Sequence, residues 1–416
     1  MLSDDQSKAW SSLNDWIKNS HEKYYILAGF AGTGKSYLLG MLAKSDYSNL
    51  FFTATTNKAT KVLSATMDRT TKTIYSLLGL RMTEEEDKLI LTPSGREPYF
   101  PKNSIIIIDE ASMIGSDLLK NILNAVARYH TLRIIFVGDP AQLPPVGEVV
   151  SPVWSLTKDE KCVSVLKKVM RNDNELLNLA TKLRACIFNK DFLSPIEHDI
   201  NSEGEGVHLF PSHEDFVQNI LKNVMDINFQ ETKVIAWRNK TIAEYNRLIR
   251  SSLGYSTPYN EGEIILIAAP VERDEVIVSN VDDEYIIEKR SESRVKVDGR
   301  YVNTWNLEVS GESKIILQIA QDEAELNAAL SDKATIAKMA KTPGARRSAW
   351  AEFWKTKKSF DYIRYGYALT AHRAQGSTLK NCYIDQQDIL ANHKDREAFQ
   401  CLYVAATRPT HNIFTF

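Results

Sequence analysis

The chain has 416 residues, 43% of them hydrophobic and 25% charged, with 51 basic and 53 acidic side chains for a net charge of −2. That composition excludes a disordered chain and a generally basic nucleic-acid coat, while leaving room for a local basic groove. At ~150 residues per domain it predicts two to four domains. The cysteines Cys162, Cys186, Cys382 and Cys401 include no close pair, so neither a disulfide framework nor a zinc site is signalled, and a reducing, cytoplasmic setting is expected. The polar start is unlike a signal peptide, and no apolar run approaches the ~20 residues needed to span a membrane.

In chain order, Trp10, Leu13 and Ile17 recur on one face and predict a helix over 5–19. An apolar run, Tyr24–Ala28, leads into a glycine-rich turn and then a helical stretch, Tyr37–Ala43. Further strands are predicted at Leu50–Ala54, Ser104–Ile108 and Leu132–Val137, with a helix at Asp117–Tyr129. Four consecutive isoleucines mark a strand buried on both faces. Strands alternating with helices predict a parallel sheet covered on both sides. The stretch 81–102 breaks the pattern and reads as an inserted hairpin, a mobile surface loop being the plainer alternative. A second α/β region is expected from about Lys161, with strands at Cys162–Leu166, Lys233–Trp237, Tyr365–Leu369, Cys382–Asp385 and Asn412–Phe416. Short alternating runs at Glu263–Ile267, Glu284–Glu288, Arg294–Val297, Asn303–Val309 and Lys314–Ile319 predict a small antiparallel barrel interrupting it.

Gly29-Phe30-Ala31-Gly32-Thr33-Gly34-Lys35-Ser36 matches G-x-x-x-x-G-K-[ST] and sits between a strand and a helix, as the motif requires. Its glycines let backbone amides converge on phosphate oxygens at a helix N-terminus. Lys35 is placed on the β- and γ-phosphates and Ser36 on Mg²⁺. Asp109 and Glu110 end the isoleucine run, where open α/β sheets bind ligands. Asp109 is expected to hold Mg²⁺, and Glu110 to orient or deprotonate the attacking water. Val137–Pro145 follows another buried strand, with Gln142 as γ-phosphate sensor. A carboxylate beside water points to a nucleoside-triphosphate hydrolase rather than a kinase.

GFAGTGKS, IIIIDEAS and VGDPAQLPPV, followed by YALTAHRAQGS and YVAATR, resemble motifs I, II, III, V and VI of superfamily-1 helicases, in order and across essentially the whole chain. The pattern is similar to the RecD-like branch. The resemblance implies two RecA-like parallel-sheet motor domains with an inserted wedge hairpin and an inserted SH3-like β-barrel. Residues 1–155 would form the first motor domain, with the hairpin at 81–102. Residues 156–254 and 361–416 would form the second, and 255–360 the barrel with a helical extension. It also implies ATP and Mg²⁺, movement 5′ to 3′, and arginine fingers Arg171 and Arg408 answering the charge on the transferring phosphoryl group. Gly376 of motif V joins the ATP-binding set. Gln6 would read adenine, or instead close a capping box with Ser3.

Single-stranded DNA and single–double strand junctions are the implied partners, with replication or recombination proteins as candidates for further contacts, no membrane, and a monomeric motor. Thr56, Asn57, Ser76, Thr370 and His372 are the candidate backbone contacts, suited to phosphates that carry no sequence information. Phe52–Ala59 departs from the family at Thr55, where a proline is common. A wedge would stack an apolar tip on the last base pair, with Ile90, Leu91, Tyr99 and Phe100 as candidates. Trp350, Phe353 and Trp354 lie at i, i+3, i+4 among basic residues, which favours a buried helix face over a strand-binding surface. The implied activity is ATP-dependent DNA unwinding; the alternative is a DNA-stimulated ATPase that translocates or remodels without separating strands.

Overall fold

The computed structural model describes residues 2–86, 88–169, 175–189, 196–274, 276–297 and 299–416. They divide into two compact units. One comprises the chain up to Leu80, Ser94–Tyr245 and Ala368–Phe416; the other comprises Arg81–Pro93 and Asn246–Tyr367. Among the described residues no helix is long and apolar enough to cross a membrane.

The first unit holds two six-stranded sheets, the expected pair of RecA-like cores. The first sheet is parallel and runs Lys72–Thr73, Leu50–Ala54, Ile105–Asp109, Arg133–Gly138, Tyr24–Gly29, Val163–Leu166. The isoleucine run shows why it is stable. Side chains alternate across a strand, so Ile105 and Ile107 enter the core beneath Leu13, Trp16 and Leu39. Ile106 and Ile108 enter the opposite core, with Ile122, Ile134 and Phe136. All four are buried, and each contributes about 1.5–3 kcal/mol of transfer free energy. The helix Asp4–Asn19 covers one face. Its N-terminus is fixed by a capping box in which Ser3 Oγ accepts from the Gln6 amide while Gln6 Oε1 accepts from the Ser3 amide.

One strand falls in a different place from that expected. Val163–Leu166 was predicted to open the second α/β region, but it pairs in parallel with Tyr24–Gly29, Ile26 opposite Val163, and is the edge strand of the first sheet. The first core therefore extends past residue 155. The second sheet runs Ala368–Thr370, Thr232–Ala236, Leu379–Ile384, Pro409–Thr415, Gly206–Leu209, Asp199–Ile200, parallel except for the last strand. The predicted single strand Tyr365–Leu369 is two strands. Ala368–Thr370 joins the second sheet, while Ile363–Tyr365 pairs with Ile264–Ile267 in the other unit. Gly366 sits at the break, where a Cβ would lie 2.8 Å from Ile264 Cγ2.

In the second unit a five-stranded antiparallel sheet runs Lys314–Ala320, Arg300–Ser310, Glu284–Val297, Ile264–Ile267, Ile363–Tyr365, beside a separate ribbon, Val271–Arg273 with Val276–Ser279. The runs predicted at Glu284–Glu288 and Arg294–Val297 are one 14-residue strand. Among the described residues no pairing joins the two outer strands, so the expected barrel is present as an open sheet over a core of Ile265, Tyr285, Leu307 and Leu317. The helices Glu323–Met339 and Pro343–Lys358 follow, and Trp350, Phe353 and Trp354 are buried between them, as the helical spacing predicts.

The insertion after Leu80 is a hairpin with arms Leu80–Glu85 and Lys88–Pro93. Its neck is closed by Ser94 N donating to Gly79 O at 2.6 Å. Gly79 has φ +64°, and a Cβ there would meet Arg96 O at 2.2 Å, so only glycine fits. The apolar-tip expectation fails. Ile90 and Leu91 lie within an arm, and the described turn residue is Glu86, whose carbonyl accepts from Trp354 Nε1 at 2.9 Å. Phe100 is buried edge-on between Phe51 and Tyr129, and Tyr99, though 79% exposed, lies outside the arms.

Candidate active site

The strand Tyr24–Gly29 delivers the chain into the glycine-rich turn, and Gly34, at φ +82° and ψ +26°, starts the helix Lys35–Ala43. Lys35 Nζ donates to the carbonyls of Gly29 and Phe30, both at 2.9 Å. Burial holds its pKa below the usual lysine range, against the opposing pull of Asp139, Glu110 and Asp109. Thr33 is fully buried, its hydroxyl on Phe30 O at 2.8 Å.

Two strands over, beyond Arg133–Gly138, the strand Ile105–Asp109 ends in the acidic pair. Asp109 Oδ1 accepts from the Glu110 amide at 2.9 Å. Burial raises the pKa of Asp109 against that bond and against Lys35. Glu110 sits at φ +53°, ψ +42°, a left-handed conformation that costs a non-glycine residue on the order of 1–3 kcal/mol. Its carboxyl is pushed up to about 7, first by burial and then by the neighbouring Asp109. Its Oε2 is buried with no hydrogen-bond partner among the described residues. A strained, desolvated carboxylate aimed into a cleft is the environment of a general base poised near neutrality.

The strand Arg133–Gly138 leads to Gln142, which is 5% exposed. Its Oε1 accepts from Gln375 Nε2 at 3.1 Å, and its carbonyl accepts from Gln400 Nε2 at 2.9 Å. Arg408, 7% exposed, arrives from the second sheet. Its guanidinium reaches the carbonyls of Val404 and Ser377 and the hydroxyl of Thr407, each at 3.1 Å.

Ala31, Gly32, Thr33, Gly34, Lys35, Ser36, Asp109, Glu110, Gln142, Gly376 and Arg408 line one cavity of about 310 Å³. Those eleven were named from the sequence for nucleotide, metal or catalysis, and the structure brings them together from both sheets. Gly29 is off the wall, two residues before Ala31, and its carbonyl accepts from Lys35 Nζ. Gln6 is also off the cavity wall. Its Oε1 completes the capping box, the one of the two foreseen uses that is formed, while Nε2 donates to Thr33 O at 3.0 Å, a contact not foreseen. Arg171 lies outside the described residues. The donors suit a magnesium nucleotide: a hydroxyl at Ser36, a carboxylate at Asp109 and an unpartnered carboxylate oxygen at Glu110 share the wall with the phosphate loop.

The strand-contact candidates are elsewhere, at the C-terminal ends of strands toward one edge of each sheet. Thr56 caps the helix Asn57–Met67, its hydroxyl accepting from Ala59 N at 3.1 Å. Asn57 opens that helix, and its carbonyl accepts from Thr60 Oγ1 at 2.6 Å. Ser76 is exposed on the short helix Ile74–Leu77 after the edge strand Lys72–Thr73. Thr370 is buried at the cap of Ala371–Ala374, and His372 is exposed on it. Ala59 and Val62, on the helix that Thr56 starts, line the nucleotide cavity, and a Cβ built on Gly376 would lie 3.8 Å from Ala59 Cβ.

Sequence reasoning gave no individual role to Asp139, Gln375 or Tyr403, which lie inside recognised motifs, or to Gln400, three residues before the last of them, and passed over Arg184 altogether. Asp139 is fully buried and ion-paired with Arg184. The only signal for Arg184 is its place in the row Leu177, Ala180, Arg184, Phe188, a charge within an apolar stripe.

Residues 1–185 match the family model for an AAA domain, and residues 365–414 match that for a UvrD-like helicase C-terminal domain. Over 99% of its length the chain is 28% identical to the ATP-dependent DNA helicase dda of Enterobacteria phage T4, covering 98% of that protein. It is 24% identical to the ATP-dependent DNA helicase Pif1 of Bdellovibrio bacteriovorus, over 86% of this chain and 77% of that one. A Pif1 helicase from Bacteroides, solved with ADP-AlF3 and ssDNA, aligns with 100% of the chain and 92% of its own, at a TM-score of 0.53 and 14% identity, a likeness of fold.

Proposed function

The chain belongs to the Pif1/Dda-like family of superfamily-1 DNA helicases, and on that premise we propose that it is an ATP-dependent DNA helicase that moves 5′ to 3′ on single-stranded DNA. The observation that carries the reading is the cavity to which one sheet brings the phosphate loop, Asp109, Glu110 and Gln142 and the other brings Gly376 and Arg408. Residues from two sheets meet on one substrate, so opening and closing of the cleft is tied to ATP turnover.

In this reading the amides of Ala31–Lys35 and the Lys35 ammonium bind the β- and γ-phosphates. Ser36 and Asp109 would hold Mg²⁺, which neutralises phosphate charge when bound. Glu110 takes the proton of the attacking water. Gln142, steadied by Gln375 and Gln400, faces the γ-phosphate. Arg408, with Arg171 as its proposed companion, stabilises the charge that develops on the transferring group. Gln6 retains a second amide hydrogen with which to meet adenine. Thr56, Asn57, Ser76, Thr370 and His372 hold the DNA backbone.

The polar turn at Glu86 favours one other reading, a DNA-stimulated translocase that does not separate strands. Two partial duplexes, one with a 5′ tail and one with a 3′ tail, each with and without ATP and Mg²⁺, decide the matter. ATP-dependent opening of the 5′-tailed duplex alone is expected. Opening from the 3′ tail alone would refute the polarity, and stimulated ATP turnover with neither duplex opened would put the translocase first.

A further inference from the structure

Arg184 is the one cation on the helix Glu175–Asn189 whose side chain meets a fully buried carboxylate among the described contacts. Its guanidinium pairs with Asp139, which follows the first sheet's strand Arg133–Gly138, and lies 3.7 Å from the ring centroid of Phe30 in the phosphate loop. The Arg184 side chain is 12% exposed and that of Asp139 is not exposed at all. Asp139 takes two further donors: Oδ1 also accepts from the Ala141 amide at 3.0 Å, and Oδ2 accepts from the Tyr403 hydroxyl at 2.6 Å. The Tyr403 hydroxyl in turn accepts from the Ala31 amide at 3.3 Å. Four segments far apart in sequence therefore converge on one buried carboxylate: the loop of the third motif, the phosphate loop, the helix bearing Arg184 and the helix Asp395–Ala406.

A buried ion pair is not retained for cheap stability, because two desolvated charges recover little more than they lose. What it supplies is registry, since both partners must meet in one geometry. The geometry that this pair fixes concerns the reaction. Tyr403 lies on the helix that ends at Ala406, and Arg408 follows two residues later. Displacing Tyr403 from Asp139 displaces Arg408 with it. Releasing the guanidinium from Phe30 frees the start of the phosphate loop.

We propose that Arg184 is a positioning residue for ATP hydrolysis, which by pairing with Asp139 holds Tyr403, and through it Arg408, in register with the phosphate loop. The proposal rests on the ATP-hydrolase reading above and adds to it a residue that is not on the wall of the nucleotide cavity.

The test uses the full chain and three variants, Arg184→Ala, Arg184→Lys and Tyr403→Phe, with ATP turnover saturated by single-stranded DNA, KM for ATP, and the unfolding temperature measured for each. Arg184→Ala is expected to lower kcat by roughly 10- to 100-fold with KM within about threefold, because the lost contact acts on the transition state and not on ground-state binding. Arg184→Lys keeps the charge but not the fork, and recovers part of the loss. Tyr403→Phe, the mildest change, lowers kcat by roughly 3- to 10-fold. A purely structural role would lower the unfolding temperature and the active fraction in step, and the surviving enzyme would keep the wild-type kcat. That result overturns the proposal, as does a kcat within twofold of wild type in both Arg184→Lys and Tyr403→Phe, whether or not Arg184→Ala folds. A wild-type chain that fails to hydrolyse ATP overturns the hydrolase reading instead, so the two failures are told apart by the unsubstituted protein.

Discussion

Replacing Glu110 by glutamine tests two consequences of one environment. The carboxyl is moved from its ordinary value near 4.5 to about 7 by burial and by Asp109. If it is the base, it acts only when ionised, so hydrolysis in the wild type rises with pH through that value. Titration about 7 leaves about a tenth of the molecules competent at pH 6 and about nine-tenths at pH 8, so kcat/KM rises about tenfold between them. Glutamine keeps the shape and removes the base; kcat falls by roughly 10²–10⁴-fold while ATP still binds. The second consequence concerns stability. A raised carboxyl pKa means that the folded state holds the proton more tightly than the unfolded state. The folded protein therefore loses stability as pH rises from about 4.5 to about 7, and the loss is constant above that. At about 1.4 kcal/mol per tenfold in the proton equilibrium, the full penalty is on the order of 3 kcal/mol. Glutamine removes it, so without nucleotide Glu110→Gln is expected to be the more stable protein at pH 8 and to lose that advantage toward pH 4.5. Single-turnover hydrolysis and chemical denaturation across pH read the two. Wild-type hydrolysis by the variant would reject Glu110 as base, and a stability difference independent of pH would reject the desolvation argument.

Lys35→Ala is expected to lower ATP turnover by at least roughly 10²-fold, because the cation on the transferring phosphate is lost; normal steady-state turnover would place the nucleotide elsewhere. Arg408→Ala is expected to cut kcat by roughly 10–10³-fold while the dissociation constant for ATP, read by fluorescence titration, stays within about threefold. An affinity loss alone would make Arg408 a ground-state contact. Replacing Arg81–Pro93 by a short glycine link across the Gly79–Ser94 neck is expected to abolish opening of a 5′-tailed duplex and leave DNA-stimulated ATP turnover within about twofold. Undiminished opening would relieve the hairpin of any part in strand separation.

What could be read from the residues was local. The phosphate loop announces itself by its spacing between an apolar run and a helix, and four isoleucines are buried on both faces whichever strands flank them. Partnership is not local. Val163–Leu166 has the composition of a strand, but which sheet it joins is settled by its register with Tyr24–Gly29, well over a hundred residues earlier. The run around Gly366 looks like one strand because its hydrophobicity is continuous. The glycine was the available sign that the chain passes from one sheet to another. Aromatic content alone could not separate a stacking tip from a core residue at Phe100, whose burial comes from Phe51 and Tyr129. Arg184 was illegible for the same reason, since its meaning resides in a carboxylate 45 positions away.

The helix Asn57–Met67 has its cap at the candidate DNA contact Thr56 and its first turn, through Ala59, on the nucleotide cavity beside Gly376. At ~1.5 Å of rise per residue, Thr56 and Ala59 stand about 4.5 Å apart along its axis. A shift at one is a shift at the other, carried by a single rigid turn rather than a relay of side chains. Thermodynamic reciprocity then binds the two ligands: whatever factor nucleotide imposes on the affinity for the strand, the strand imposes on the affinity for nucleotide. Tightening of ATP by DNA and tightening of DNA by ATP are in this sense one free energy, measurable from either end of that turn.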